Sequence, residues 1–219
     1  MRLAALFTIA GFGGATAAVH FGVFKSLDQW SIDHLMPWLS LERHRETFLS
    51  EILPFTKYTP RSEIPAELWL YPASVLVSGL VTAACCFRLW RSSLRLPAFG
   101  WASAWLIGNA IEVVAKATVR RPTPHLGFAQ LPTFVNSFPS GHAIRALLLV
   151  AVIATVLPRL RWPAAVWLAA SLVLLVITNA HLPSDLIGAA FVGAGLSLAC
   201  LRLTQRAAGL AASDATDAA

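Results

Sequence analysis

Three short segments of this chain place ionisable side chains at the ends of apolar stretches, where a charge is costly and needs a partner or a function. The segments are EVVAKATVRRPTPH (112–125), SFPSGHAIR (137–145) and NAHLPSD (179–185). They hold the residue types that phosphoryl chemistry uses: fixed cations, histidines that attack or donate a proton, and an aspartate that can orient a histidine. If the apolar stretches cross a membrane in turn, all three segments emerge on one face. We therefore expect them to form one site.

The middle segment predicts the start of a helix. Pro139 and Gly141 permit a tight turn, and the first N–H groups of the helix that follows lack backbone partners and can bind an anion. His142 lies in the first turn, and Arg145 shares its face three residues later. The alternative is an ordinary Ser-Gly helix start with a histidine at the membrane interface.

The last segment predicts a histidine held by a carboxylate. Pro183 suits the first turn of a helix, which places His181 just before that helix and Asp185 within it. A carboxylate beside an imidazole selects one tautomer and makes the other nitrogen more basic. The alternative is a helix-capping aspartate beside an unrelated histidine.

The first segment brings several cations to the end of an apolar stretch. Glu112 and Lys116 are four residues apart, so a local ion pair is one reading of them. Arg120 and Arg121 could be interfacial anchors. The other reading is phosphate binding, because a phosphoryl group with charge on three oxygens calls for several fixed cations.

Composition excludes a water-soluble domain and a disordered chain. Of the 219 residues, 57% are apolar and only 13% are charged, and the mean hydropathy is +0.65. A soluble domain carries about 25% charged residues. The net charge of +6 first indicates loop orientation and anionic lipid or substrate, and we expect no nucleic-acid partner. The three cysteines lie in apolar stretches, so we expect neither a disulfide framework nor a metal site.

Six apolar segments predict an all-α polytopic membrane protein, a bundle of six transmembrane helices. The long polar stretch between the first and second segments contains two amphipathic sequences, SLDQWSIDHLMPWL and LERHRETFLSEILPF, which predict outward-facing interfacial helices. The first segment also has features of a cleavable signal peptide, although its length favours a retained span. The six segments are 3–24, 68–89, 96–115, 143–157, 163–180 and 186–203.

Arginines in the short loops predict the orientation. In a six-span layout the loops that hold arginines without acids lie on the same side as both termini, which should be the cytoplasmic side. The candidate site then faces outward. We expect one integral membrane domain over residues 1–206 and a disordered Ala-rich tail over 207–219.

The order Lys…Arg-Pro, Pro-Ser-Gly-His and His-x-x-x-Asp resembles the type-2 phosphatidic acid phosphatase superfamily. The resemblance covers about residues 116–188, with SFPSGHA and HLPSDLIGA as close matches. It implies a six-span, metal-independent membrane phosphatase without a cofactor, with a lipid phosphate as substrate and membrane lipids as surroundings.

The resemblance also implies roles for individual residues. His181 would be the nucleophile that forms a phosphohistidine, and Asp185 would orient its ring. His142 would protonate the leaving group and then help to activate water. The phosphoryl oxygens would be held by Lys116, by the Ser140 hydroxyl and by the Gly141 amide.

Two departures from the family pattern leave the phosphate cations open. Arg121-Pro122 comes two residues earlier than the family spacing from Lys116, and Leu174 and Leu175 stand where the family has Ser-Arg. Each charge-assisted contact contributes about 1.5–3 kcal/mol, so substitutes are needed. The candidates are Arg121, Arg120, Arg145 and His125.

The sequence therefore predicts hydrolysis of a lipid phosphate or diphosphate, of the polyprenyl diphosphate or phospholipid phosphate type, on the periplasmic side of a bacterial inner membrane. The first alternative is a non-catalytic protein that binds lipid phosphates. The second is a small transporter, which the gathering of polar residues at one face disfavours.

Overall fold

The computed structural model describes residues 2–35, 68–119, 121, 137–178 and 180–217, and every regular element in these ranges is helical. The helices are α1 Arg2–His20, α2 Lys25–His34, α3 Val75–Arg91, α4 Arg95–Val119, α5 Gly141–Val156, α6 Arg161–Ile177 and α7 Pro183–Asp217. Two short 3₁₀ turns, Tyr71–Ala73 and Pro158–Leu160, precede α3 and α6.

Serine side chains begin two of these helices. Ser74 Oγ accepts a hydrogen bond from the N–H of Val77 at 3.3 Å, at the start of α3. Ser140 Oγ accepts one from the N–H of Ala143 at 3.3 Å, at the start of α5. Each hydroxyl satisfies one of the N–H groups that have no partner within the helix. The Ser-Gly helix start expected from the sequence is therefore present.

Helices α5 and α7 form the centre of the bundle. α7 lies beside α1, α2, α4 and α5, while α5 also contacts α3, α4 and α6. A Cβ atom added to Gly193 of α7 would lie 2.8 Å from the Leu147 side chain, so α5 and α7 approach closely because residue 193 has no side chain. The largest apolar side chains buried between these helices include Trp101, Ile144, Val152, Leu175 and Val192.

Several described helices have the length and composition of membrane spans. Arg95–Val119, Pro158–Ile177 and Pro183–Leu210 each qualify, and the pair Ala5–His20 and Lys25–His34, bent by 73°, makes a fourth candidate if it is counted as one span. α5 is apolar but has 16 residues, and α3 has 17. At about 1.5 Å per residue, both are shorter than the ~30 Å hydrocarbon core. The helical fold and membrane association are thus supported, whereas the count of six spans remains a prediction.

The structure bears on two further predictions, the interfacial helices and the Ala-rich tail. α2 covers most of the first predicted interfacial helix, while the second lies outside the described residues. α7 continues to Asp217, through most of the Ala-rich segment expected to be disordered. Alanine has the highest intrinsic helix propensity, so an Ala-rich continuation can extend a helix that is already nucleated.

Candidate active site

His181 and Asp185 lie together at the start of α7. Asp185 is fully buried and His181 is 8% exposed. The distance from His181 Nδ1 to Asp185 Oδ2 is 3.5 Å, longer than a tight charge-assisted hydrogen bond. The same Oδ2 accepts a hydrogen bond from the N–H of Leu182 at 2.9 Å. The carboxylate therefore stands beside the imidazole with its position set by the backbone, and such contacts commonly tighten in a transition state.

The starts of α5 and α7 are joined by hydrogen bonds. The N–H of Ser140 donates to the backbone oxygen of Asp185 at 3.3 Å. Ser137 Oγ lies 3.4 Å from Asp185 Oδ1. His142 is half-buried in the first turn of α5, two residues after Ser140. The Pro-Ser-Gly-His segment and the His-Asp pair, which are distant in sequence, therefore adjoin in the fold.

Arg121 binds Asp185 through Oδ1, whereas His181 lies beside Oδ2. Its Nη1 donates to Asp185 Oδ1 at 2.9 Å and to Ser184 Oγ at 2.5 Å. Its Nη2 donates to Asp28 Oδ2 at 2.6 Å. The guanidinium is thus held between two carboxylates, one from α7 and one from α2. In this arrangement Arg121 could bind a phosphate only by exchanging a carboxylate for it or by using its remaining N–H groups.

Glu112 is the centre of a second charged cluster. Its Oε1 lies 2.9 Å from Lys116 Nζ and its Oε2 lies 2.6 Å from Arg145 Nη1. The predicted local ion pair of Glu112 with Lys116 is therefore present, and Arg145 joins it from α5. All three residues are buried. One carboxylate between two cations leaves the cluster with a net positive charge, which suits an anionic ligand.

Arg145 is bound on several sides within this cluster. Its Nε donates to the backbone oxygen of Ala73 at 2.7 Å, and its Nη1 donates to Asn109 Oδ1 at 3.1 Å as well as to Glu112. Only 2% of Arg145 is exposed. The expected shared face with His142 exists in the helix, but the guanidinium atoms with these contacts are directed to α4 and to the turn before α3.

The second cluster can lie against the start of α5 because residue 141 is a glycine. A Cβ atom built on Gly141 would overlap the carboxylate of Glu112. Only glycine permits this approach, so the glycine of the Pro-Ser-Gly-His segment has a packing role beside any role of its amide. The cluster of Glu112, Lys116 and Arg145 therefore lies against the start of α5, which the sequence predicts to bind an anion.

Three further positions were singled out from the sequence. Arg120 and His125 lie outside the described residues. Leu175, at a position where an arginine was expected, is buried in the core, and its backbone oxygen accepts hydrogen bonds from Ala180 and His181. Among the described residues, no group of three His, Cys, Asp or Glu side chains is arranged to hold a metal ion.

Asp28, Ser184 and Asn109 are among the residues that contact the site and were not predicted from the sequence. Asp28 and Ser184 bind Arg121, and Asn109 binds Arg145. For Asn109 the signal was its spacing, since it lies three residues before Glu112 on the same face of α4. For Asp28 the signal was weak: it lies three residues before Ser31 in an otherwise amphipathic segment, and only the fold brings that face to the site.

Comparison with known proteins gives one positive result. No curated protein and no solved structure matches the chain. The model of the PAP2 superfamily matches residues 97–208, just over half of the chain. This range contains the Glu112 cluster, the start of α5 and the His181–Asp185 pair. The chain therefore belongs to the PAP2 superfamily, whose members are generally phosphoric ester hydrolases that act on lipid phosphates.

Proposed function

We propose that this protein hydrolyses a lipid phosphate or diphosphate without a metal ion, through a phosphohistidine on His181. The observation that carries the proposal is the junction of α5 and α7. There a buried Asp185 stands 3.5 Å from His181, and its backbone oxygen accepts the N–H of Ser140. A binding protein would need cations for a phosphate, but it would not need a buried aspartate behind a histidine.

The proposed reaction has two displacements at phosphorus. In the first, Nε2 of His181 forms a bond to phosphorus while the bond from phosphorus to the leaving oxygen breaks, and His142 donates a proton to that oxygen. In the second, water attacks phosphorus and gives a proton to His142 as the nitrogen–phosphorus bond breaks. Asp185 stabilises the positive charge that the His181 ring gains in the first step. Phosphate leaves and both histidines return to their starting forms.

The phosphoryl oxygens are assigned to Lys116, the Ser140 hydroxyl and the Gly141 amide. The net positive charge of the Lys116–Glu112–Arg145 cluster supports this assignment, because the cluster abuts Gly141. Arg145 contributes charge from inside the cluster, where it balances Glu112. Arg121 contributes through Asp185, which it contacts at 2.9 Å.

The proposed setting is a bacterial inner membrane with the site on the periplasmic face. Six spans, with both termini cytoplasmic, would put the starts of α5 and α7 on that face. Large apolar side chains stand exposed on the outside of the bundle, including Leu80, Phe87, Leu106, Val114 and Val166. Such a surface suits lipid chains, so the tail of the substrate can stay in the bilayer while its phosphate enters the site.

Phosphate release from purified protein tests the proposal. The protein in detergent with EDTA is offered polyprenyl diphosphate, phosphatidate and phosphatidylglycerol phosphate, and the His181→Ala variant is measured in parallel. We expect release of phosphate from at least one substrate by the wild type and loss of release in the variant. Activity that requires Mg²⁺, or that survives in His181→Ala, contradicts the mechanism.

A non-catalytic protein that binds lipid phosphates is the second candidate. The observation in its favour is the burial of Leu175 in the core where the family pattern has an arginine. The same experiment separates the two candidates. Binding of these lipids with no release from any of them would favour the second.

A further inference from the structure

We infer that Asp28 of α2 is a positioning residue, which holds Arg121 against Asp185 and so supports the reaction at His181. The inference rests on the proposed function. Asp28 lies outside the range that the family model matches, residues 97–208. It would make the N-terminal part of the chain a component of the active site.

Among the described residues, the carboxylate of Asp28 forms hydrogen bonds with Arg121 and Ser184, which adjoin Asp185. Its Oδ2 accepts hydrogen bonds from Arg121 Nη2 at 2.6 Å and from Ser184 Oγ at 2.8 Å. Its Oδ1 accepts one from the N–H of Ser184 at 3.2 Å. Asp28 is 4% exposed. One buried carboxylate therefore satisfies an N–H of the first turn of α7 and fixes one end of the Arg121 guanidinium.

α2 buries polar side chains and leaves apolar ones exposed. The residues it buries are Asp28 and Ser31, whereas Leu27, Trp30 and Ile32 are 37–51% exposed. Leu35, directly after α2, packs beside Val176 and Leu182 in a small apolar cluster. An exposed apolar face suits the membrane surface. The polar contacts of Asp28 are thus the main contacts that α2 makes towards the site.

Charge explains why Arg121 needs a second carboxylate. His181 gains positive charge as it attacks phosphorus, and the negative charge of Asp185 stabilises that change. If Arg121 were paired with Asp185 alone, it would cancel this charge and could draw the carboxylate away from the imidazole. Asp28 takes the other end of the guanidinium, so that the group Asp28, Arg121 and Asp185 keeps one net negative charge. Asp28 should therefore act through Arg121, and its replacement should lower kcat more than it changes KM.

A double-mutant cycle tests this dependence. Asp28→Asn keeps an oxygen that can accept the N–H of Ser184 but removes the charge, and Arg121→Gln removes the cation. We expect Asp28→Asn to lower kcat about tenfold or more with KM changed less than about threefold. In the Arg121→Gln background, the same substitution should change kcat by less than about twofold, because the group through which it acts is gone.

Two comparisons make the cycle decisive. Asp33→Asn on the same helix is the matched control. Asp33 is exposed, and among the described residues its carboxylate forms a hydrogen bond only with Gln29 of α2. The kcat of this variant should therefore equal that of wild type. The double variant differs from Arg121→Gln only at residue 28, so their comparison still applies if Asp28→Asn alone does not fold.

The outcomes distinguish this inference from the proposed function. A wild type that releases phosphate, together with an Asp28→Asn variant of unchanged kcat, overturns the inference alone. An Asp28→Asn effect of the same size in both backgrounds also overturns it, because Asp28 would then act independently of Arg121. A wild type that releases no phosphate from any lipid overturns the proposed function and, with it, this inference.

Discussion

Replacing Gly141 with alanine would put a methyl group where the carboxylate of Glu112 lies. The overlap is with the carboxylate itself, which is held by Lys116 at 2.9 Å and by Arg145 at 2.6 Å. The Glu112 side chain would have to move away from α5. Because Lys116 is on the same helix as Glu112 whereas Arg145 is on α5, we expect the contact with Arg145 to be lost first.

The structure sets the size of this effect. Breaking a buried ion pair by displacing one partner costs about 3–5 kcal/mol. Alanine is more favourable than glycine in a helix by up to about 1 kcal/mol, which offsets part of this loss. The net loss in the free energy of unfolding should be about 2–4 kcal/mol, which lowers Tm by roughly 5–15 °C for a chain of this size.

Thermal unfolding in detergent measures the loss. Gly13→Ala is the matched control, because Gly13 lies in α1 and an added Cβ would meet nothing within 4 Å. That control should keep or raise Tm. In a Glu112→Asp background, where the carboxylate is one methylene shorter, the penalty of Gly141→Ala should shrink. A Gly141→Ala protein with the Tm and kcat/KM of wild type would refute the close approach of Glu112 to α5.

Two further predictions concern the charged residues around the site. Arg145→Ala should lower kcat/KM by about tenfold or more, because Glu112 would then cancel the charge of Lys116. Steady-state phosphate release measures this change. An unchanged rate would show that Arg145 is not part of the site. Asp185→Asn should lower kcat by about 10³-fold or more, since an amide cannot stabilise a charged imidazole, and should also lower Tm, since the ion pair with Arg121 is lost. A pre-steady-state measurement should show the phosphoenzyme forming slowly. A kcat within tenfold of wild type would contradict the role of Asp185.

Much of the fold was predictable because it depends on composition and on short spacings. The apolar stretches predicted helices, and each of the six predicted segments overlaps a described helix. The ends of the helices were less predictable from the sequence, because they depend on what surrounds each helix. α3 and α5 are shorter than typical spans, and α7 continues into the Ala-rich end of the chain. A pattern of apolar residues shows that a helix forms, but not where its neighbours allow it to end.

Within the site, local contacts followed from the sequence and distant ones did not. Glu112 and Lys116 are four residues apart on α4, and one turn of a helix brings such residues together. His181 precedes α7 and Asp185 lies in its first turn, so the short stretch of chain between them brings that pair together. Sequence reasoning expected Arg121 and Arg145 to face a phosphate, and the structure shows each of them bound to carboxylates.

The sequence by itself determined that this protein is helical, rich in apolar segments and equipped with histidines and cations of the right type. Tertiary structure alone decided which carboxylate each arginine binds. Arg121 meets Asp28 across 93 residues of chain, and Arg145 meets Glu112 across 33. The physical reason is that helix geometry sets contacts within one turn, whereas contacts between helices depend on how the whole bundle packs.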